Sequence, residues 1–315
     1  MSLRSVIAGC GGHLPPQILD NDALAARYGL DTSDAWIRER SGITQRHIAG
    51  PGESCASLGF EAARIALAQA GASVDEVDAV IVATATPDNA FPSTAVRIQA
   101  MLGMTRGFGF DISAACTGFV YALSIADAMI RSGQVRSILV IGSEVYSRIL
   151  DWTDRGTCVL FGDGAGAVLL RAEEGEHGVL STHLHADGRH GDILLVEGTT
   201  GPLRMAGREV FKHAVNKLSA VVDEALAANH MQRSDVNWLV PHQANIRIIE
   251  AMGKKLGLPR ERVVVTVDRH ANTSAASVPL ALAEAVNDGR IKRGDLVLME
   301  AIGGGLTWGG ALVRF

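Results

Sequence analysis

A cysteine, a histidine and an asparagine in this sequence each follow a segment whose composition predicts a buried β-strand. They are Cys116, His242 and Asn272. A thiolate is a nucleophile that can carry an acyl group. Imidazole and carboxamide groups can donate hydrogen bonds to the oxyanion that forms during acyl transfer. If the fold brings the three side chains together, they could therefore catalyse an acyl-transfer reaction.

The residues around Cys116 favour a reactive thiol. Small residues precede it, Gly118 follows it, and an apolar helix is predicted over residues 117–131. The N-terminus of a helix presents unpaired N–H groups and a partial positive charge, so we expect the pKa of this thiol to be lowered. The alternative is a buried structural cysteine at a tight strand–helix junction.

His242 and Asn272 have ordinary alternatives as well. A histidine that follows a buried strand and Pro241 is often a structural residue with satisfied hydrogen bonds. Asn272 precedes small residues that open a helix, where asparagine commonly serves as an N-cap. Three glycines at residues 303–305 permit either a tight turn or a close approach of substrate to a backbone N–H group.

The other three cysteines, Cys10, Cys55 and Cys158, are scattered and form no CxxC pair. Their spacing excludes a disulfide scaffold, argues against a structural zinc site and is typical of a reducing compartment. One further segment contains several residue types that bind metals, but their spacing matches no compact site. Its members are His183, His185, Asp187, His190 and Asp192.

Composition narrows the class of protein. The chain has 315 residues, of which 47% are hydrophobic, and a formal net charge of −5, which argues against nucleic acid as the main partner. No apolar run reaches the roughly 18 residues that a membrane helix needs. Residues 1–12 are typical of a strand and turn rather than of a signal peptide. We therefore expect a globular protein of the cytoplasm.

Short runs of valine, isoleucine and leucine alternate with alanine-rich helical stretches along the chain. Strands are predicted at residues 79–84, 107–112, 137–142, 238–240, 263–267 and 296–301. Continuously apolar strands that alternate with helices indicate an α/β fold whose mostly parallel sheet is covered on both faces. Ligand sites in such sheets form where the strands end, and the three candidate residues follow strand ends.

The order of elements repeats, which predicts an internal duplication. Matches at an offset of 159 residues are Leu67 with Leu226 and Val77 with Val236, and matches at an offset of 156 are Gly133 with Gly289 and Cys116 with Asn272. We expect two similar halves, residues 1–171 and 172–315. The charged, loop-like segment at residues 171–177 lies at their boundary.

In combination, these segments resemble the β-ketoacyl-acyl-carrier-protein synthase III family, the initiating condensing enzymes of fatty-acid synthesis in the thiolase-like superfamily. The segments that match in order and spacing are residues 36–42, 111–118, 154–157, 161–166, 241–247, 270–274 and 303–309. The resemblance runs from the first strand to Phe315. It implies a homodimer with a duplicated α/β fold, layered α-β-α-β-α, that contains two mixed five-stranded sheets.

The resemblance also implies a decarboxylative condensation. Cys116 takes a short acyl group from acyl-CoA, malonyl on the acyl carrier protein (ACP) loses carbon dioxide, and His242 and Asn272 stabilise the resulting enolate. The backbone N–H groups of Cys116 and Gly304 hold the acyl oxygen. Acyl-CoA serves as a substrate, and neither a metal nor a redox cofactor is implied.

Several further residues match family positions that contact substrate. Trp36 lies among charged residues, where a stacking platform for a base fits better than a core residue. The residues that match coenzyme A contacts are Trp36, Arg40, Arg155, Gly207, Phe211, Asn245 and Arg247. Phe91 matches a position that closes the acyl pocket from the partner subunit, and its bulk suggests short straight-chain groups such as acetyl.

The predicted helix after His242 has a basic face. Arg247, Lys254 and Lys255 share it at helical spacing, and Lys212 could extend it. Most basic helix faces are merely solvated. On a net acidic protein, however, this face would suit the acidic acyl carrier protein that the resemblance implies.

Other functions remain open at this point. A related condensing enzyme of secondary metabolism would use another acyl donor or acceptor. A cysteine hydrolase would pair His242 with the thiol and admit water, and a non-catalytic scaffold that binds carrier protein would keep only the fold. A thiolase in the strict sense would require a second catalytic cysteine near residues 303–309, where the sequence has none.

Overall fold

The computed structural model describes residues 3–198 and 201–315. Its strands are β1 (Leu3–His13), β2 (Gln17–Asp20), β3 (Gln45–Ile48), β4 (Ala79–Ala83), β5 (Phe108–Ile112), β6 (Ser137–Glu144), β7 (Gly164–Glu174), β8 (Gly178–Ala186), β9 (Leu194–Val196), β10 (Leu203–Met205), β11 (Trp238–Pro241), β12 (Leu296–Gly303) and β13 (Thr307–Arg314). Its α-helices are α1 (Asn21–Tyr28), α2 (Asp34–Ser41), α3 (Cys55–Gln69), α4 (Thr94–Met101), α5 (Gly118–Arg131), α6 (Gly207–Ala228), α7 (Ile246–Leu256), α8 (Val267–His270) and α9 (Ser277–Asn287).

Five strands from the N-terminal part of the chain form a mixed sheet in the order β1-β7-β6-β4-β5. β4 runs parallel to β5 and β6, whereas β7 is antiparallel to β6 and β1. Side chains of β4 alternate between two apolar layers, since Ile81 packs with α5 and α9 while Val80 and Val82 pack with α3. Because both faces are covered, the strand is apolar without interruption.

Four strands from the rest of the chain form a second mixed sheet in the order β11-β12-β13-β8. The fifth strand expected at residues 263–267 does not form, because only Val263 makes a bridge to β11 and α8 begins at Val267. Gln243 supplies the physical reason. Its side-chain carbonyl accepts hydrogen bonds from the backbone N–H groups of Thr266 and Val267, so these donors are satisfied without a neighbouring strand.

The predicted layering α-β-α-β-α is confirmed. The apolar cluster between the sheets contains side chains of α5 and α9 and of one face of each sheet. α3 and α4 cover the outer face of the first sheet, and α6 and α7 cover the outer face of the second. Among the described residues, no helix combines the length and apolarity needed to span a bilayer.

The internal repeat is more regular than the sequence suggested, and one predicted register is wrong. The 3-10 turns Ala115–Thr117 and Ser274–Ala276, the helices α5 and α9, and the strands β6 and β12 all begin at an offset of 159 residues. In the repeat, Cys116 therefore corresponds to Ala275 and not, as predicted, to Asn272. The offset of 156 holds at the helix ends, because α9 has 11 residues where α5 has 14.

The chain passes from one sheet to the other at a short connection. β7, in the first sheet, ends at Glu174, and β8, in the second sheet, begins at Gly178. The connecting residues 175–177 belong to the charged segment. The division into halves at residues 1–171 and 172–315 stays a prediction.

Candidate active site

The strand ends of both sheets, and the loops after them, line one cavity of about 1020 Å³. Cys116, His242 and Asn272 all line this cavity. Their exposed fractions are 4%, 4% and 6%, respectively. The structure therefore brings together the three residues that the sequence singled out.

Cys116 lies in the 3-10 turn between β5 and α5. Ala115, the residue before it, has a left-handed φ of 45°, and Thr117 Oγ1 donates a hydrogen bond of 2.9 Å to the carbonyl of Thr307 in β13. Gly303 passes so close that a Cβ there would lie 2.6 Å from the backbone nitrogen of Cys116. Only glycine fits at that position, and these contacts fix the place of the thiol.

The expectation of a lowered thiol pKa is wrong. Burial raises the pKa of Cys116 to about 12, a hydrogen bond from Ser274 opposes this shift, and the negative charge of Glu144 adds to it. The helix α5 begins only at Gly118. Because the thiol is removed from water, the loss of solvation for a thiolate outweighs the attraction of the helix end.

His242 follows β11, and its backbone N–H donates to the carbonyl of Glu300 at 2.8 Å. Its ring nitrogen Nδ1 lies 2.5 Å from Ser277 Oγ, which also accepts a hydrogen bond from the backbone N–H of Gln243. The Ser277 hydroxyl can therefore donate its own proton to Nδ1, which places the ring proton on Nε2. Burial lowers the pKa of the imidazole to about 3, so the ring is neutral near pH 7.

Asn272 is held by its backbone and oriented by its side chain. Its N–H donates to the carbonyl of Leu160 at 2.9 Å, and its carbonyl accepts from the N–H of Gly162 at 3.1 Å. The side-chain oxygen accepts a hydrogen bond of 2.8 Å from the N–H of Ser274. This orientation leaves the amide N–H groups as the part of the side chain that can bind a ligand.

The exposed end of the cavity is basic and aromatic. The guanidinium carbon of Arg40 lies 4.9 Å from the ring centroid of Trp36, and that of Arg155 lies 5.2 Å from it. Asn245 caps α7 by accepting from the N–H of Arg247, and it also donates to the carbonyl of Arg40 at 2.9 Å. The loop before α7 and the end of α2 are therefore tied together beside the cavity.

The remaining predicted site residues divide into two groups. Gly207, Phe211, Arg247 and Gly304 line the cavity. Phe91 does not line it, and 86% of this residue is exposed. The three predicted lysine contacts are exposed on α6 and α7 and also lie outside the cavity lining. They are Lys212, Lys254 and Lys255.

Sequence reasoning missed four residues behind the candidate catalytic groups: Glu144, Tyr146, Ser274 and Ser277. The sequence does contain a signal for Glu144, because it is an acidic residue at the end of the apolar strand β6. A buried carboxyl group requires hydrogen-bond partners or has a functional role. Ser274 and Ser277 lie in the run of small residues after Asn272, and from the sequence alone this run predicts only the start of a helix. The hairpin of β9 and β10, which supplies Leu194 to the cavity lining, gave no signal because its strands have three residues each.

Two histidines of the histidine-rich segment contact one carboxylate on α6. His183 Nδ1 and His185 Nε2 lie 3.2 Å and 2.6 Å from the carboxylate of Glu224. Within residues 3–198 and 201–315, no group of three or more histidine, cysteine, aspartate or glutamate side chains is arranged to hold a metal ion.

Comparison with known proteins gives one consistent family. Residues 110–188 match the family described as 3-Oxoacyl-[acyl-carrier-protein (ACP)] synthase III, and residues 226–315 match its C-terminal part. A protein from Acidiphilium cryptum named Beta-ketoacyl-[acyl-carrier-protein] synthase III is 69% identical over an alignment of 320 positions, which covers 99% of each chain.

Solved structures agree with this result. The 3-oxoacyl-[acyl-carrier-protein] synthase III from Aquifex aeolicus VF5 is 47% identical with a TM-score of 0.96, over 99% of this chain and 100% of that one. The corresponding protein from Pseudomonas aeruginosa PAO1 is 44% identical with a TM-score of 0.94, over 99% of this chain and 98% of that one. The likeness therefore extends over essentially the whole chain.

Proposed function

The chain belongs to the 3-oxoacyl-[acyl-carrier-protein] synthase III family, and on that premise we propose that it condenses a short acyl-CoA with malonyl-ACP. Acetyl-CoA is the proposed acyl donor, and the 3-oxoacyl-ACP product begins fatty-acid synthesis. One observation carries the proposal: Cys116, His242 and Asn272 meet in a single buried cavity whose exposed end holds Trp36.

The first half-reaction transfers the acyl group to the enzyme. The sulfur of Cys116 attacks the thioester carbonyl of acyl-CoA, the bond from the carbonyl carbon to the coenzyme A sulfur breaks, and the acyl group remains on Cys116. Backbone N–H groups of Cys116 and Gly304 stabilise the oxyanion. Gly304 packs tightly, since a Cβ there would lie 2.8 Å from the carbonyl oxygen of Leu194.

The second half-reaction forms the carbon–carbon bond. Malonyl-ACP loses carbon dioxide, and negative charge moves onto its thioester oxygen. His242 Nε2–H and Asn272 Nδ2–H donate hydrogen bonds to that oxygen, and each such donor typically stabilises a transition state by about 3 kcal/mol. A neutral imidazole suits this role, and burial keeps the pKa of His242 near 3. The enolate carbon then attacks the acyl group on Cys116.

Coenzyme A binds at the exposed end of the cavity. Its adenine stacks on Trp36, with Arg155 on the opposite face of the base. Two stacking contacts require about 7 Å between the flanking groups, whereas Arg155 lies 5.2 Å from the Trp36 ring. The guanidinium therefore moves outward when the base enters. Arg40 and Arg247 contact phosphate groups, Asn245 holds the loop, and Gly207 and Phe211 flank the pantetheine arm.

The acyl carrier protein docks beside this entrance. Arg247, Lys254 and Lys255 are exposed on α7, whose opposite face is buried. Lys212 lies on α6, within 4.0 Å of Glu209. A basic surface on a chain of net charge −5 attracts an acidic partner through long-range electrostatic steering.

A second copy of the chain completes the enzyme. β5 forms an edge of the first sheet, and apolar residues nearby are exposed, including Phe91 at 86% and Phe108 at 39%. A sheet edge with exposed aromatic rings is a natural pairing surface. Since Phe91 lies outside the cavity of its own chain, it closes the acyl pocket of the partner subunit in a homodimer.

The reaction as written consumes acyl-CoA and malonyl-ACP and calls for no further cofactor. The cytoplasm is the proposed compartment. The four cysteines are free thiols and are all buried, which agrees with a reducing environment.

The proposal is tested by following radiolabelled acetyl groups. The protein is incubated with acetyl-CoA, digested, and mapped by mass spectrometry, with Cys116→Ala as the test variant and Cys10→Ala as a matched control at another buried cysteine. We expect a label on the Cys116 peptide in the wild type and in Cys10→Ala, and none in Cys116→Ala.

Addition of malonyl-ACP then separates the remaining functions. Transfer of the label into 3-oxoacyl-ACP supports condensation. Loss of the label to water instead would identify a hydrolase, and no label at any stage would identify a non-catalytic scaffold. Either of the last two results contradicts the proposal.

A further inference from the structure

The residue that follows His242 is a buried glutamine with no part in the reaction described above. Gln243 lies between β11 and α7, none of its surface is exposed, and it does not line the cavity. It therefore touches neither substrate nor carrier protein. A buried carboxamide costs free energy unless its oxygen and its amide hydrogens have partners, so the bonds that it makes indicate its role.

The side chain of Gln243 uses both ends of its carboxamide group. Nε2 donates to the carbonyl oxygens of Pro241 at 2.8 Å and Val264 at 3.1 Å. Oε1 accepts from the backbone N–H groups of Thr266 at 2.8 Å and Val267 at 3.0 Å. The amide has two hydrogens and its oxygen has two lone pairs, so all four hydrogen-bonding positions are filled by backbone groups.

Two of these bonds fix the loop that carries His242. The bond to Pro241 reaches back across His242, because Pro241 and Gln243 flank it in the chain. The bond to Val264 attaches the loop to a residue whose own N–H donates to the carbonyl of Leu239 in β11 at 2.9 Å. The backbone of His242 is therefore held in a short turn against the end of β11.

The other two bonds fix the segment that leads to Asn272. Thr266 and Val267 begin α8, and Thr266, at the N-cap position, makes no side-chain capping bond of its own. Gln243 Oε1 takes the place of that cap. The single turn of α8 carries this position forward, because the N–H of Ala271 donates to the carbonyl of Val267 at 3.1 Å, and Asn272 follows.

Ser277 joins the same two segments on the other side of Asn272. Its hydroxyl lies 2.5 Å from His242 Nδ1 and accepts from the backbone N–H of Gln243 at 3.3 Å. The segment that contains Asn272 is therefore attached to the His242 loop both before and after Asn272. Attachments on both sides restrict the movement of Asn272 relative to His242 more than either one alone.

We propose that Gln243 is a positioning residue that sets the spacing of His242 and Asn272, the two donors that stabilise the enolate. This inference rests on the proposed condensing function. The two donors come from different segments of the chain, and a misplacement of about 1 Å can lower a rate about a hundredfold. Acylation uses the backbone N–H groups of Cys116 and Gly304 instead, so it does not depend on Gln243.

The test compares the two half-reactions in Gln243→Met, which removes all four bonds at a similar side-chain volume. Acylation of Cys116 by acetyl-CoA is followed by rapid quench. The second half-reaction is followed by release of radiolabelled carbon dioxide when pre-acetylated enzyme is mixed with malonyl-ACP. We expect carbon dioxide release at saturating malonyl-ACP to fall at least about tenfold, with half-saturation and acylation nearly unchanged.

Gln243→Glu gives an independent readout, the pH profile. A protonated carboxyl group can still donate to one of the carbonyl oxygens of Pro241 and Val264, whereas a carboxylate would repel both. Relative to the wild type, carbon dioxide release should therefore fall between pH 6 and 8.5, while acylation keeps a constant ratio. This variant decides the question if Gln243→Met does not fold.

The matched control is Asn237→Leu, at the opposite end of β11. The side-chain oxygen of Asn237 accepts from the backbone N–H of Leu296 at 2.7 Å, so this variant also removes an amide bond to the backbone. It should lower the free energy of unfolding without separating the two half-reactions.

Equal losses in both half-reactions of Gln243→Met, or of Gln243→Glu at every pH, would overturn the positioning role, because they would indicate a general structural defect. Failure of the proposed function gives a different result, since wild-type Cys116 would then not be acylated by acetyl-CoA at all.

Discussion

Glu300 provides a quantitative test of how this protein tolerates buried charge. It lies on β12 with none of its surface exposed, and neither carboxyl oxygen has a hydrogen-bond partner among the described residues. Burial raises its pKa from 4.5 to about 8. An ionised carboxylate here would be an unpaired charge in the interior, so the folded protein holds this group in its protonated form.

The sign of the effect follows from proton linkage. A raised carboxyl pKa means that the folded chain binds more protons than the unfolded chain between these two pKa values. The contribution of Glu300 to the free energy of unfolding is therefore fully present below about pH 4.5, and it is lost as the pH rises through 8. A shift of about 3.5 pKa units at 1.4 kcal/mol per unit corresponds to roughly 5 kcal/mol, most of it between pH 5 and 8.

The prediction is that Glu300→Gln removes this pH dependence. Urea unfolding of both proteins at pH 5.5 and 8.5, at one protein concentration, gives the free energy of unfolding. The wild type should lose several kcal/mol more than the variant between the two pH values. Contributions of other groups, such as Glu144 and His242, are present in both proteins and cancel in the difference.

The control is Glu173→Gln, which removes an exposed carboxyl from the first sheet and should keep the wild-type pH slope. A pH slope in Glu300→Gln equal to that of the wild type would refute the reasoning, because the buried carboxyl would then already be paired or hydrated. A difference in the free energy of unfolding that is the same at both pH values would not refute the reasoning. It would reflect the free-energy cost of burying the glutamine amide, which does not change with pH.

Three other predictions concern substrate. Ser277→Ala should lower the rate of malonyl-ACP decarboxylation about tenfold and leave acylation of Cys116 unchanged, because it removes the donor that keeps the His242 proton on Nε2. Ser277→Thr should restore the rate, and equal losses in both half-reactions would contradict this role. Trp36→Ala should raise KM for acetyl-CoA by about fivefold at unchanged kcat, as expected for loss of a stacking contact of about 1 kcal/mol. An unchanged KM would place the base elsewhere. Reversal of Lys254 and Lys255 to glutamate should raise KM for malonyl-ACP, most strongly at low salt, with acyl transfer from acetyl-CoA nearly intact; equal losses in the two assays would exclude a docking role.

The sequence predicted the elements of the site better than its chemistry. Cys116 and His242 follow the strands β5 and β11, and the convergence of strand ends in a covered sheet is a strong constraint on where such residues meet. Asn272 was expected to follow a strand as well, but it follows the short helix α8. The fifth strand of the second sheet could not be predicted in the same way. Valine-rich residues 263–267 have strand propensity, but a side-chain carbonyl at Gln243 competes for their backbone donors.

The protonation state of Cys116 could not be predicted from the sequence for a different reason. A helix end is visible in a sequence, whereas the degree of desolvation depends on packing by residues far along the chain, such as Gly303 and Thr307. The same holds for Glu144, whose partners Thr84 and Thr86 lie about 60 residues earlier.

Burial determines the protonation of both Cys116 and Glu144. A thiol with a pKa near 12 is ionised in only about one molecule in 10⁵ at pH 7. A mechanism that waited for a free thiolate would therefore add roughly 7 kcal/mol to its barrier. The proton must therefore leave the thiol during the attack and not before it. The burial that makes Cys116 a poor acid also raises the pKa of Glu144, so the same packing controls the protonation of both groups.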